Sequence, residues 1–219
     1  MTRAERRTVI VIAKEPVPGR VKTRLTPPLT PGQAADVAGA ALWDTLRAAA
    51  GVPAGELLLA FDGSARDWVP EGWRTVPQPC GGLDLRLVAA FAAARPGPAV
   101  LVGMDTPQFT PGQLAEFEPG RYDACLGPAT DGGYWAIGFA DPHRAAAAIT
   151  GIPMSTDHTG ADQLARLRGL GLRVQLLDEL TDVDTIDSAR EVATLAPRSA
   201  FAAALRRADA QRTTLPAVS

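Results

Sequence analysis

Apolar residues fall into two rhythms along this chain, short unbroken runs and spacings of three and four, and the rhythms alternate. The run Thr8-Val-Ile-Val-Ile-Ala13 has the length and β-branched content of a strand buried on both faces. Thr30-Pro31 then supplies an N-cap and a first-turn proline. A helix is predicted from there to about Ala50, with Ala35, Ala38, Leu42, Thr45 and Leu46 on one face and Gly51 as its stop. Glu56-Leu-Leu-Leu-Ala-Phe61 predicts a second strand and Trp73-Arg-Thr-Val76 a short third. Leu83 to Ala94 is helical in period and is ended by Arg95-Pro-Gly-Pro98, after which Ala99-Val-Leu-Val-Gly-Met104 is again an unbroken apolar run.

In the second half the strands come closer together. Thr110-Pro111 starts a short helix, and Tyr122–Leu126 and Tyr134–Phe139 predict strands joined by the loop Gly127–Gly133. A helix over Gly160–Leu170, a strand over Leu172–Leu177 and helices over Asp184–Leu195 and from Phe201 to about Gln211 complete the pattern, with a frayed tail after them. Strand–helix alternation predicts an α/β fold with a mostly parallel sheet, and the later close spacing makes that sheet mixed. No repeat or linker divides the chain. The expectation is one domain over residues 1–219, with its core at about 8–195 and a C-terminal helix and tail at 196–219.

Composition narrows the functional classes. A chain of 219 residues is long enough for a full core, and a formal net charge of −2 lacks the broad basic surface of a nucleic-acid binder. No apolar run has the length of a membrane span, and Met1–Arg7 shows no signal-peptide pattern. Cys80 and Cys125 stand alone and are expected to be small buried residues in a reducing compartment. The expectation is a cytoplasmic protein with no nucleic-acid or membrane partner. His143 and His158 do not have zinc-ligand spacing. No nucleophile elbow, Gly-x-x-x-x-Gly-Lys phosphate loop or dinucleotide Gly-x-Gly-x-x-Gly is present, which argues against serine hydrolysis and nicotinamide redox chemistry.

Candidate chemistry gathers at strand ends. Of the 22 basic residues only Lys14 and Lys22 are lysines, and with Arg20 and Arg24 they lie in the Pro/Gly-rich stretch directly after the first strand. The carboxyl end of a buried strand is where open α/β sheets bind ligands, and mobile ammoniums beside forked guanidiniums suit a polyphosphate. A solvated basic turn is the alternative. Asp105, in Val100-Leu-Val-Gly-Met-Asp-Thr-Pro107, is one residue past another buried strand and could serve a hard cation such as Mg²⁺, or simply cap a turn. In Gly127-Pro-Ala-Thr-Asp-Gly-Gly-Tyr134, Asp131 could orient a substrate hydroxyl or brace the turn that Gly132 and Gly133 permit. In Leu180-Thr-Asp-Val-Asp-Thr-Ile-Asp187, Thr185 and Asp187 suit a helix start, while Asp184 is equally suited to a second metal carboxylate. His158 is expected at the surface or at a helix entry.

Together, AKEPVPGRVKTRL at 13–25, GMDTPQFTP at 103–111, GPATDGGYWAIG at 127–138 and DVDT at 182–185 resemble the bacterial radical-SAM/selenodomain-associated transferases. These are glycosyltransferase-like members of the nucleotide-diphospho-sugar transferase (GT-A) superfamily, and the chain has a more distant similarity to molybdenum-cofactor and phospholactate nucleotidylyltransferases. The resemblance implies a Rossmann-like GT-A domain binding a nucleotide over the carboxyl edge of its sheet. It implies phosphate contacts from the loop carrying Ala13, Lys14, Pro18, Gly19, Arg20, Lys22 and Arg24, with Lys22, Arg24 and Asp105 carrying catalysis. It implies Mg²⁺ or Mn²⁺ at Asp105 and Asp184, and an acceptor pocket at Asp131, Gly132, Gly133, Tyr134, Ser155 and Thr156. Cys80-Gly-Gly-Leu-Asp-Leu-Arg86 departs from the family's Gly-Asp-Leu-Gly order, leaving Arg86 as its one nucleotide-site candidate, and Met154-Ser-Thr156 replaces Trp-Ser-Thr.

Two transferase chemistries fit: transfer of a nucleotidyl group from an NTP to a small phosphorylated or acidic acceptor, and glycosyl transfer from a nucleotide-sugar. A departing pyrophosphate needs more cations, and Asp105-Thr-Pro-Gln108 is not the Asp-x-Asp of many metal-dependent glycosyltransferases, so the reading leans to nucleotidyl transfer. A non-catalytic nucleotide-binding protein is the remaining alternative, and a homodimer is left open.

Overall fold

The computed structural model describes residues 7–64 and 68–213. The first six residues and the tail from 214, where fraying is expected, lie outside them. Seven strands form one sheet: β1 (Thr8–Lys14), β2 (Glu56–Asp62), β3 (Trp73–Pro77), β4 (Ala99–Gly103), β5 (Ala124–Pro128), β6 (Tyr134–Phe139) and β7 (Val174–Leu176). Their order is β3-β2-β1-β4-β6-β5-β7. β1 pairs in parallel with both β2 and β4, β2 with β3, and β5 with β7, while β6 is antiparallel to β4 and β5. The sheet is therefore mixed and mostly parallel, as the strand spacing predicts, and the carboxyl ends of six strands share one edge.

Alternating side chains of β1 feed two cores, as the period of a strand requires. Val9, Val11 and Ala13 pack with Ala35, Ala38, Leu42 and Leu46 of α1 (Pro31–Ala50). Ile10 and Ile12 pack on the other face with Leu87, Ala90 and Phe91 of α2 (Leu83–Ala92), Ala148 and Ile149 of α4 (Ala145–Ile149) and Leu167 of α5 (Thr159–Gly169). Helix α1 begins with a full capping box, Thr30 and Gln33 each accepting from the other's backbone N–H. Its outer face, Ala34, Val37 and Ala41, is covered by α6 (Ile186–Leu195) and α7 (Ala200–Thr213). Leu25 and Leu29 join this third cluster and tie down the far end of the basic loop. The short α3 (Pro111–Ala115) follows β4. Among the described residues no helix is long and apolar enough to cross a membrane.

Three expectations shift. Strand β5 begins at Ala124 instead of Tyr122, because the backbone N–H groups of Asp123 and Ala124 already bond the Arg173 carbonyl at the sheet's entrance. The segment Pro142–Ile149, which has no predicted element, holds a 3₁₀ turn and α4, whose alanine run carries no amphipathic period. Cys125 is buried, but Cys80 is exposed, because it lies in the turn leading into Gly81-Gly82.

Candidate active site at the carboxyl edge of the sheet

Two chain segments are brought to the end of β4. The basic loop leaves β1 and returns through Val21, which is 2% exposed, and Leu25, which is fully buried, so Lys22 is anchored on both sides. Lys22 has φ 47° and ψ 40°, a left-handed conformation that costs a side-chain-bearing residue of order 1 kcal/mol and persists where the surroundings impose it. The segment after β7 is stitched in from the other side. Leu180 N–H donates to the Pro128 carbonyl (3.1 Å), Thr130 N–H donates to the Leu180 carbonyl (3.0 Å) and Val183 N–H donates to the Asp105 carbonyl (2.9 Å). Gln108 Nε2 donates to the Thr181 carbonyl (2.7 Å) and Trp135 Nε1 to the Asp178 carbonyl (3.0 Å).

The result is an ammonium enclosed by acids. Lys22 Nζ lies 2.5 Å from Asp105 Oδ1 and 3.3 Å from Asp184 Oδ1, and also donates to the Val183 carbonyl. Its side chain is 8% exposed, against 43% for Asp105 and 40% for Asp184. Arg24 Nη1 reaches Asp184 Oδ2 at 3.3 Å from a solvated position. Burial pushes the Lys22 amine down, but the charges of Asp105 and Asp184, the Asp105 hydrogen bond and the charge of Asp182 outweigh it and raise it above its ordinary value.

Asp182 is the group that sequence reasoning missed. Burial, then the charges of Asp105 and Asp131, push its carboxyl up to about 7, with Lys22 opposing and Asp184 adding. Its Oδ1 is buried without a hydrogen-bond partner. The available signal was the alternation Asp182-Val183-Asp184, in which Val183 is 1% exposed and packs into the third core cluster. Thr185 is the N-cap of α6, accepting from Ser188 N–H, and this leaves the Asp184 side chain to the cations.

The remaining sequence candidates occupy the same edge without joining this cluster. Lys14, the last residue of β1, and Pro18, Gly19 and Arg20 along the basic loop are exposed, and the buried Ala13 offers its carbonyl to Gln78 Nε2 (2.7 Å). Arg86 is held beside the end of β2 by Asp62 (2.9 Å), the Gly81 carbonyl (3.1 Å) and Gln78 Oε1 (3.4 Å). Asp131 accepts from Gly133 N–H at 2.8 Å, so it braces its own turn while its charge reaches Asp182. Gly132, at φ +88°, presses against the backbone of Asp157: a Cβ there would lie 1.8 Å from the Asp157 carbonyl oxygen. Gly160 N–H closes the contact by donating to the Gly132 carbonyl (2.8 Å). Ser155 (φ 61°) and Thr156, whose hydroxyl meets that of Thr159 at 3.0 Å, lie in the turn that Gly132 touches. The Tyr134 hydroxyl faces Met154 Sδ (3.8 Å) and Gln163 Oε1 (3.5 Å), and burial, with the charge of Asp84, pushes its phenol up. His158 is exposed at the N-cap of α5, paired with Asp157 at 2.9 Å.

Two carboxylates and a carbonyl already converge on one cationic point, and hard divalent cations take such oxygen donors together with phosphate and water. Among the described residues no three His, Cys, Asp or Glu side chains are spaced to hold a metal unaided.

The family model described as "Uncharacterized protein conserved in bacteria (DUF2064)" matches residues 45–156. No curated protein matches the chain. A solved protein from Desulfovibrio desulfuricans G20, designated a candidate nucleotide-diphospho-sugar transferase, superposes with a TM-score of 0.83 at 27% identity, covering 97% of this chain and 98% of that one. CMP:2-keto-3-deoxy-manno-octonic acid synthetase, solved with CTP, has a TM-score of 0.58 at 13% identity, over 88% of this chain and 99% of that one. Rv0371C from Mycobacterium tuberculosis H37Rv, solved with manganese, has a TM-score of 0.50 at 24% identity, over 85% and 97%. The last two likenesses are of fold alone.

Proposed function

We propose that this chain, which belongs to the DUF2064 family of bacterial proteins, is a divalent-metal-dependent nucleotidyltransferase. It would transfer NMP from an NTP to a small phosphorylated or acidic acceptor. The observation that carries the reading is the meeting of Lys22 and Arg24 with Asp105 and Asp184 at the carboxyl edge, below the open loop that also holds Lys14 and Arg20. In the reaction an acceptor oxygen bonds the α-phosphorus, the bond from that phosphorus to the bridging oxygen breaks, and pyrophosphate departs. Lys14, Arg20 and Arg24 would draw in and hold the triphosphate, and Lys22 would offset charge on the departing pyrophosphate. Positioning and electrostatics suffice for such a transfer without a dedicated base. Mg²⁺ or Mn²⁺, held by Asp105 and Asp184, would neutralise the diphosphate when bound. The CTP and manganese found with two proteins of this fold accord with that assignment. The turn at Asp131–Tyr134 and the facing Ser155–Thr156 would seat the acceptor, and Arg86 would contact the nucleotide from the β2 side.

Glycosyl transfer from a nucleotide-sugar is the second reading, favoured by the designation of the Desulfovibrio protein. Thermal-shift titration with Mg²⁺ separates the two, since stabilisation follows ligand concentration over Kd. Four NTPs are compared with UDP-, GDP- and dTDP-sugars. Preference for a free NTP, followed by pyrophosphate release with that NTP, supports nucleotidyl transfer. Preference for a nucleotide-sugar replaces it with glycosyl transfer.

A further inference from the structure

An ammonium has three N–H donors and no acceptor. Lys22 spends them on three oxygens: Asp105 Oδ1, Asp184 Oδ1 and the Val183 carbonyl. In this state Lys22 has no donor left for a phosphate. The oxygens it occupies are also those a divalent cation needs at Asp105 and Asp184. One side chain therefore blocks both halves of the site. The carboxylates nonetheless remain open to solvent, at 43% and 40% exposed, while the lysine beneath them is 8% exposed. A third carboxylate, Asp182, stands beside them with a buried Oδ1 that no donor satisfies. Three carboxyl groups thus gather around one ammonium and the solvated Arg24.

We propose that Lys22 is a built-in place-holder for the divalent cation, filling the site in the empty protein and leaving it for the phosphates when the metal arrives. The inference rests on the metal-dependent transferase reading above. Its physical basis is exchange of like for like: a compact cation on a flexible four-carbon stem yields to a denser one that takes oxygen ligands more strongly. The expelled ammonium recovers all three donors, so metal entry prepares Lys22 for the polyphosphate. Binding of metal and of NTP then becomes mutually reinforcing, since each removes Lys22 from where the other needs it gone.

Lys14 and Lys22 are the only lysines in the sequence, and Lys14 is exposed, which makes amine labelling read by mass spectrometry a direct test. The ratio of Lys22 to Lys14 acetylation is measured in the wild-type protein without and with Mn²⁺, with bound Mn²⁺ followed by electron paramagnetic resonance in the same samples. We expect the ratio to be low without metal and to rise at least five-fold as Mn²⁺ binds. We also expect Lys22→Met to bind Mn²⁺ alone at least ten-fold tighter than wild type. An unchanged labelling ratio with Mn²⁺ bound makes Lys22 a neighbour of the metal and overturns the proposal, as does a Lys22→Met protein that gains no affinity. The labelling ratio needs no variant, so it decides the matter if Lys22→Met fails to fold. Wild-type binding of Mn²⁺ with an NTP separates the two failures. If it persists while the place-holder outcomes fail, only this inference falls. If the protein binds neither Mn²⁺ nor an NTP, the transferase reading falls too.

Discussion

The two edges of the sheet keep opposite polar accounts. At the amino edge Glu56, 4% exposed, accepts from Thr8 Oγ1 (2.9 Å), Arg74 Nε (2.8 Å) and Arg95 N–H (3.0 Å). Burial pushes its carboxyl up, but the Arg95 backbone bond, the Arg74 and Thr8 side-chain bonds and the Arg74 charge outweigh it and hold it below its ordinary value. Arg7 there donates to the carbonyls of Leu114 (3.4 Å) and Phe117 (2.7 Å), and Asp123 pairs with Arg173 at 3.0 Å. At the carboxyl edge acids outnumber the cations that reach them. Of the buried side-chain atoms without a partner among the described residues, Thr106 Oγ1, Gln108 Oε1 and Asp182 Oδ1 fall in the segments that carry Asp105 and Asp184, while Arg7 Nε lies at the amino edge and Thr45 Oγ1 in α1. A satisfied buried network stabilises a fold, whereas strongly perturbed titratable groups cluster where ligands are handled. Stability thus resides at one edge, and the chemistry proposed above at the other.

The largest test of that division is Asp105→Asn. We expect turnover, read by pyrophosphate release, to fall by about two to three orders of magnitude, the scale of losing one electrostatic contact to a transition state. Stability should fall by about 1–2 kcal/mol at most, because the buried Lys22 loses one charged partner but keeps Asp184 and the Val183 carbonyl. A collapse in melting temperature instead would place a stabilising role at this edge. Glu56→Ala is the converse. Losing three hydrogen bonds should cost about 2–3 kcal/mol in chemical denaturation, with turnover per folded molecule unchanged.

Gly132→Ala should cost about 1–3 kcal/mol, given φ +88° and the Asp157 carbonyl oxygen 1.8 Å from the new Cβ. Its kinetic signature should be a raised KM for the acceptor with nucleotide affinity intact; loss of nucleotide affinity would show that the turn serves the wrong substrate. Glu56 also predicts a pH dependence. Its folded carboxyl lies below the unfolded value, so its stabilisation is present above about pH 4.3 and is lost as pH falls through the folded value. The stability gap between wild type and Glu56→Gln, measured from pH 7 down to 3.5, should therefore narrow on acidification, and a gap that widens would reverse the sign assigned here. The smallest effect belongs to Arg24→Gln. Its solvated pair with Asp184 should contribute under about 0.5 kcal/mol to stability, while NTP affinity drops several-fold and its salt dependence weakens.

Much of the fold was legible because its signals are local. The apolar runs at Thr8–Ala13 and Ala99–Met104 are strands, and the caps at Thr30 and Thr185 open helices. Helix α4 escaped notice because five residues of mostly alanine define no face. At the site, Asp105 could be placed by its position one residue past a buried run. Asp182 could not, because its environment is made by Asp105, Asp131 and Lys22, which come from three other parts of the chain. The Asp62–Gln78–Arg86 group was hidden for the same reason: it exists only because β2 and β3 pair in register.

The sequence by itself determined which edge of the sheet would carry Lys14, Lys22 and Asp105. In a parallel sheet every loop that follows a strand emerges on the same side, so Lys14, Lys22 and Asp105 were bound to share it. Only the tertiary structure decided what those residues meet. Antiparallel β6 lies between β4 and β5, and the chain after β7 crosses back past the end of β5 to reach the end of β4. There Val183 bonds Asp105 and presents its carbonyl to a lysine 161 residues earlier. Strand order is a global choice among packings of equally apolar strands, and no local run of residues encodes it.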